Sequence, residues 1–252
     1  VNVQEYLKRI GAASESLQAD YESLRWIQRR HMLSVPFENL DIVNSRPIKL
    51  RLEALFEKIA VMHRGGYCYE LNGLFGWLLQ NLVFSVSLIS GRVLRDDGTY
   101  GPEFDHMALL VHLEKEYLVD VGFGDSVRSP LPLSGDVVTD ISGSYRIRVG
   151  SNEDTFYFQK MTKGDWLTEF TFTKTPRKLT EFDEMNRYQQ TSPDSHFTKK
   201  LICSLATADG RITVSGDSLI ETIGTAKTKR TIVSVKERND ILRQRFGIDA
   251  TR

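Results

Sequence analysis

The spacing of polar and apolar residues changes once along the chain, near Phe84. Before that point apolar residues recur at helical intervals. The stretch "EYLKRIG" sets Tyr6, Leu7 and Ile10 on one face and stops at Gly11. "DYESLRWIQRRHMLS" carries Leu24, Ile27, His31 and Leu33, and ends before Pro36. A proline pushes the residue before it out of the helical region. "RLEALFEKIAVMHR" repeats the pattern through Leu52, Leu55, Phe56 and Ile59, which predicts a third helix. "CYELNGLFGWLLQNL" predicts a fourth, with Leu71, Leu74, Phe75, Leu78 and Leu82 as its stripe.

After Phe84 the period falls to two. "FSVSLISGRVL", "HMALLVHL", "EYLVDVGFG", "SYRIRVG", "TFYFQKM" and "WLTEFTF" read as strands divided by polar turns. A run of short antiparallel strands predicts a barrel or a strongly curved sheet. "LTEFDEMNRYQQT" is a short helix closed by Ser192-Pro193. The tail adds strand pairs around "ADG" and in "TKRTIVSV", then the helix "KERNDILRQRFG". The expected order is a helical segment over 1–83, a β segment over 84–178 and a mixed segment over 179–252.

Composition narrows the function. The 252 residues are 40% hydrophobic and 26% charged, with zero formal net charge. Nucleic-acid domains carry a basic excess, so no nucleic-acid partner is expected. No apolar run approaches the ~20 residues that span a bilayer, so no membrane partner is expected either. "VNVQEYLKRIGAASES" is too polar for a signal peptide. Two cysteines, Cys68 and Cys203, are too few for a disulfide framework. The expectation is a reduced, cytoplasmic protein.

The stretch "RGGYCYELNG" then stands out. Its two glycines allow positive φ and close approach of the backbone. Cys68 falls in the first turn of the fourth helix, where unpaired N–H groups and the helix dipole favour an anion. A thiol there is expected to have a lowered pKa. The N–H of Tyr69 is placed to stabilise an oxyanion. Cys203, in "KLICSLAT", has no such setting and is read as core.

A nucleophilic thiolate needs a base, and the base needs an orienting group. His31 lies on a helix stripe, and His63 precedes the glycine turn. His106 opens a strand after the loop "RDDGTYGPEFD" and is the preferred base. His112 shares its face but lies about 20 Å further on at ~3.3 Å per residue. Asp105, Asp120 and Asp125 are the available carboxylates. Asp105 adjoins His106, and neighbours on a strand point to opposite faces. Asp120 sits between two valines, where a carboxylate needs a partner. If His106 and Asp120 pair, their hairpin requires a three-residue loop, Glu114 to Glu116, that sets Leu110 opposite Asp120, or a bulge of the same parity.

Together these residues resemble the arylamine N-acetyltransferase family. "RGGYCYELNGLF" carries that family's R-G-G-x-C-x-E-x-N signature, and "VPFENLDI", "DHMALLV", "YLVDVGFGD" and "NRYQQTSPDSHF" follow in the family's order. The resemblance implies an α+β fold: helical bundle, antiparallel β-barrel and α/β lid around a cysteine-protease-like Cys-His-Asp core. It implies acetyl transfer from acetyl-CoA to an arylamine or arylhydrazine through an acetyl-cysteine, with no metal. It assigns Cys68, His106 and Asp120 as the triad, and Arg64 with Glu38 as a structural ion pair. Phe37, Val93 and Phe123 are expected to bind the acceptor, and Thr99, Gly101 and Ser218 the coenzyme. Many members continue past the final helix along the coenzyme cleft. The chain's end at Arg252 therefore implies that contacts from such a tail are missing or replaced.

Two rivals follow from the same residues. A thiol hydrolase or transglutaminase-like acyl transferase would use the same triad, but the protease pattern "CGSCW" is absent. A non-catalytic binding protein would not need all three groups. The cysteines and histidines show no close metal-ligand spacing.

Overall fold

The computed structural model describes residues 1–249, so the expectation tied to Arg252 lies outside the described residues. Helix α1 (Val3–Arg9) is capped by Asn2 and α2 (Tyr21–Ser34) by Asp20, each side chain accepting from a first-turn N–H. A two-residue strand, β1 (Phe37–Glu38), leads to α3 (Leu40–Val43) and α4 (Leu52–Phe56). The third predicted helix is not one continuous α-helix: α4 passes into a π-helical turn over Glu57–Val61. That wider turn holds Lys58, whose ammonium lies 2.8 Å from both Asp41 and Glu70. Short π segments often mark such sites, and hydrophobic spacing alone does not reveal them. Helix α5 (Cys68–Asn81) is buried along most of its length.

The β segment forms one eight-stranded antiparallel sheet. Its strands are β2 (Ser85–Val93), β3 (His106–His112), β4 (Glu116–Val119), β5 (Leu131–Pro132), β6 (Val138–Asp140), β7 (Gly143–Val149), β8 (Phe156–Thr162) and β9 (Asp165–Phe172). Their order is β5-β4-β3-β2-β9-β8-β7-β6, and the sheet curls until β5 meets β7. Strand β3 divides two cores. Met107, Leu109 and Val111 pack against the helices, while Ala108 and Leu110 face the barrel interior. With both faces covered, "HMALLVH" reads as a continuous apolar run rather than an alternation.

A 3₁₀ turn over Leu179–Phe182 precedes α6 (Asp183–Thr191) and α7 (His196–Lys199). Strands β10 (Ile202–Thr207), β11 (Gly210–Ser215), β12 (Ser218–Ile223) and β13 (Ala226–Thr231) then lead to α8 (Val235–Phe246). The second sheet has the order β1-β10-β11-β12-β13, so its edge strand comes from the helical part of the chain. One face, with Cys203, Ile212, Val214 and Leu219, packs on Ile241, Leu242 and Phe246 of α8. Its other face looks toward the helices and barrel. The α+β fold implied by the sequence is present, and no described helix is long and apolar enough to cross a membrane.

Candidate active site

Cys68 is the first residue of α5 and is buried. The preceding glycines are needed for space, not for positive φ: neither Gly65 nor Gly66 lies in the left-handed region. A Cβ on Gly65 would meet the Pro36 carbonyl oxygen at 1.9 Å, and one on Gly66 the Glu70 Cβ at 2.7 Å. The freed space admits β1. Gly66 bridges Phe37, and the Glu38 N–H donates to the Gly66 carbonyl at 2.8 Å. Phe37 in turn pairs with Ser204 of β10. The turn before the thiol is thus sewn to the second sheet through two residues.

Beneath the turn lies a buried ion cluster. Arg64 contacts Glu38 at 2.7 Å, as the resemblance implied, and also Asp41 at 3.0 Å. Lys58 joins Asp41 to Glu70, whose carboxylate also accepts from the Tyr67 N–H at 3.1 Å. Burial pushes the Glu70 carboxyl up to about 6, against the pull of Lys58. Removing one member of such a cluster leaves a buried charge uncompensated, so the cluster pins the turn before α5.

His106 and Asp120 come together. The β3–β4 pairing sets Leu109 opposite Val119 and His112 opposite Glu116. The loop therefore has three residues, Leu113 to Lys115. The parity is the one expected, but the register is two residues away. Extending the ladder one step puts Asp120 opposite Ala108, not Leu110. That brings it diagonal to His106, within reach of a long side chain. His106 Nε2 lies 2.6 Å from Asp120 Oδ2, and both residues are buried. A carboxylate only accepts, so Nε2 carries the proton and Nδ1 is left with its lone pair.

Asp120 has two further partners. Its Oδ1 accepts from Asn72 Nδ2 at 2.9 Å and from the Gly122 N–H at 2.8 Å. Asn72 also donates to the Met107 carbonyl at 2.6 Å and accepts from the Val121 N–H at 3.0 Å. It ties α5 to both strands of the pair. It is the asparagine of the R-G-G-x-C-x-E-x-N signature, but sequence reasoning gave it no role, although its place four residues after Cys68 puts it one turn along the same helix face.

The lowered thiol pKa expected from the helix end is not what the surroundings give. Burial pushes the Cys68 thiol well above its ordinary value, and the charges of Asp120 and Asp105 add to that. The backbone N–H groups of Met107 and Tyr69 pull the other way. A stable thiolate at this site needs a cation beside it.

Cys68 and His106 line one cavity of about 490 Å³, together with Phe37, Val93 and Phe123. All three expected acceptor residues are therefore brought to the thiol and the imidazole. Phe123 and Phe170 set their ring centres 5.0 and 4.9 Å from that of His106. Gln189, His196 and Phe197 also line this cavity. They were not foreseen, although "NRYQQTSPDSHF" contains all three. Val93, Asp105, Gln189 and His196 are shared with a second cavity, which is walled by Arg95, Asp96 and Asp97.

The three expected coenzyme residues line neither cavity. Thr99 is exposed and donates to Asp97 through its N–H and its hydroxyl. Gly101 is buried, and a Cβ on it would meet Asp105 Oδ2 at 2.0 Å. Ser218 begins β12 opposite Ser215. Of the remaining groups, His112 lies at the far end of β3 beside Glu116, and Asp125 faces Lys160 and Arg211. Cys203 is fully buried in β10.

A protein-family profile described as N-acetyltransferase matches residues 20–252. An arylamine N-acetyltransferase of Mycolicibacterium smegmatis is 36% identical over 252 aligned residues, covering 97% of this chain and 90% of that protein. The arylamine N-acetyltransferase of Mycobacterium marinum, solved in complex with CoA, superposes with a TM-score of 0.91 at 30% identity, over 99% of this chain and 94% of that one. A Bacillus cereus arylamine N-acetyltransferase, described as having a unique Cys-His-Glu catalytic triad, superposes with a TM-score of 0.89 at 29% identity, over 98% of this chain and 99% of that one.

Proposed function

The chain belongs to the arylamine N-acetyltransferase family, and on that footing we propose that it carries acetyl from acetyl-CoA to an aromatic amine or hydrazine on Cys68, by a ping-pong route. The observation that carries this reading is the 2.6 Å contact between His106 and Asp120 at the cavity that Cys68 lines. In the Bacillus cereus relative the third member is described as a glutamate; here the carboxylate on the imidazole is Asp120.

In the first half-reaction the thiol proton passes to His106 Nδ1 and the sulfur attacks the thioester carbonyl. The bond from carbonyl carbon to coenzyme sulfur breaks, and the departing thiolate takes the proton back from His106. One thioester replaces another, so the acetyl-cysteine is neither a trap nor a high barrier. The Tyr69 N–H, in the first turn of α5, would stabilise the oxyanion. In the second half an arylamine, neutral at pH 7, attacks the acetyl carbon. Its proton goes to His106, and the Cys68 thiolate leaves.

Asp120 holds the imidazole in one tautomer and stabilises the imidazolium that forms in each half. Phe37, Val93 and Phe123 make an apolar wall on which an aryl ring stacks. Thr99 and Gly101 would reach the coenzyme through the loop that forms the second cavity, and Ser218 through the start of β12. Two unpaired cysteines suit a reducing compartment such as the cytoplasm.

Initial rates at several fixed acceptor concentrations should give parallel double-reciprocal lines against acetyl-CoA. Intersecting lines would mean that both substrates must be bound together, and the ping-pong reading would be wrong.

A further inference from the structure

Phe104 stands two residues before His106 and has a φ of 66°. That is the left-handed region, where glycine is at ease and a bulky side chain is an outlier. Such a residue keeps this conformation only where its surroundings fix it, and strained backbone of this kind clusters at active sites.

Four groups fix this one. The Phe104 N–H donates to Ser90 Oγ of β2 at 2.7 Å. Its carbonyl accepts from the Tyr69 hydroxyl at 2.6 Å, and that hydroxyl lies 3.3 Å from the Asp105 carbonyl as well. Its ring meets that of Phe182 edge-on, with centres 5.0 Å apart. The Arg177 guanidinium lies over the ring, 5.0 Å from its centre. Arg177 is held in turn, by its N–H on the Leu88 carbonyl at 2.8 Å and by Glu103 at 2.9 Å.

Tyr69 gives the arrangement its direction. It follows Cys68 in α5 and is fully buried. Burial pushes its phenol well above the ordinary value, so the hydroxyl keeps its proton and donates. This side chain runs from the residue beside the nucleophile to the backbone two residues before the base. Asn72, one turn further along α5, donates to the Met107 carbonyl at 2.6 Å. Helix α5 therefore grips the chain on both sides of His106. The turn at Phe104 also sorts the two residues that follow it. Asp105 goes to Gln189 at 3.1 Å, and His106 goes to Asp120 at 2.6 Å. Neighbours on a strand point to opposite faces, so another backbone conformation at Phe104 would turn both.

We propose that Phe104 and the Tyr69 hydroxyl form a brace that aims the His106 imidazole at Cys68, which makes Phe104 a positioning residue for the base. This rests on the acetyl-transfer reading and deepens its account of His106. Phe104 and Tyr69 line neither cavity, so their effect on the reaction passes through the imidazole. A glycine at 104 would take the same φ without strain, but the turn would then be free to leave it. The phenylalanine ring, clasped by Phe182 and Arg177, is what confines it.

The test uses two variants. Phe104→Gly suits the backbone but lacks the ring, and Tyr69→Phe keeps its ring but lacks the hydroxyl. In each, acetylation of Cys68 at saturating acetyl-CoA should slow roughly ten- to hundredfold, since a ~1 Å misplacement can cost about a hundredfold. The KM values for donor and acceptor should hardly change. The losses should not add, because both act on one turn: the double variant should be about as slow as the slower single one.

Iodoacetamide reports the same fault without acetyl transfer. A misdirected imidazole supports the thiolate less well, so the Cys68 alkylation profile should move to higher pH in both variants. The titratable groups facing the pair are Asp105, Asp120 and the protonated phenols of Tyr67 and Tyr69, and neither variant changes the charge they present. A merely structural pair would lower the unfolding temperature and leave the profile and the saturated rate where they were, and that result overturns the proposal. Additive losses, or a change confined to KM, overturn it too. If Phe104→Gly does not fold, Tyr69→Phe decides alone, and a parent-like rate and profile overturn the proposal. If the unaltered protein takes no acetyl group on Cys68, the acetyl-transfer reading fails, while the alkylation profiles still decide whether the brace aims the imidazole.

Discussion

Cys68 shows why a residue's place in the sequence is only half of its chemistry. Its position at the start of α5 favours an anion, yet its burial disfavours one, and burial outweighs the two N–H groups that reach the sulfur. The missing contribution is a neighbouring cation, and His106 lines the same cavity. Proton transfer to Nδ1 would supply that cation without moving either side chain out of the cavity. Iodoacetamide alkylation of Cys68 should therefore proceed well below ~8.5, the ordinary cysteine value. In His106→Gln the thiol loses its ionic partner but keeps its burial. The alkylation profile should then move above ~8.5, with little reaction left at neutral pH. An unchanged profile would assign the thiolate to the N–H groups of Met107 and Tyr69 alone.

At the scale of elements, the site depends on how closely α5 and the end of β4 approach. Gly122 is the point of contact. A Cβ there would come within 2.7 Å of both the Cys68 Cα and Asn72 Nδ2. Its φ is not in the left-handed region, so the demand is for space alone. Gly122→Ala should cost about 1–3 kcal/mol of stability, as overpacking usually does. It should also slow Cys68 acetylation at least tenfold, since Asp120, Asn72 and Cys68 must shift together. Chemical denaturation and a stopped-flow acylation assay measure the two effects. A variant as stable and as fast as the parent would show that the loop has room to give.

This contact also marks how far the sequence could be read. The longer strands and helices were legible because they repeat a period over seven residues or more, as in β7 and α5. The pairing of His106 with Asp120 was legible as a parity, since side chains alternate along a strand. The register itself was not, because it depends on where the turn closes. Strand β1 left no pattern to read in two residues. Its role comes from Gly66 and Ser204, distant in sequence. The π turn at Glu57–Val61 was hidden because Lys58 holds it through Asp41 and Glu70, and ion contacts leave no hydrophobic period. Gly65 and Gly66 were legible as allowing positive φ or close approach of the backbone, and only the fold shows that the second applies, as clearance for Pro36 and Glu70.

At the scale of the molecule, the second sheet must stay seated over the barrel for the cavity to exist. Arg128, 3% exposed, follows the loop that carries Asp120 and Phe123. Its guanidinium donates to the carbonyls of Thr207 and Gly210 at the β10–β11 turn, and its Nε to Ser142 Oγ at 3.0 Å. One side chain thus ties the barrel to the hairpin that presents Arg211. A lysine has one nitrogen and cannot hold these acceptors in the same fork. Arg128→Lys should lose about 1–3 kcal/mol of stability, since buried carbonyls are left short of donors. It should also raise the acceptor KM more than it slows acylation by p-nitrophenyl acetate, a small donor that needs only Cys68 and His106. Equal changes in both would mean that the seating of the hairpin does not shape the acceptor site.

The central claim is that Cys68 carries the acetyl group. The most direct measurement is intact mass followed by peptide mapping, after mixing the protein with acetyl-CoA and no acceptor. One acetyl group should appear, on the peptide that contains Cys68, and it should disappear when an arylamine is added. Cys68→Ser should take up none. An acetyl group found on Cys203 or on a lysine, or full transfer activity in Cys68→Ser, would contradict the account.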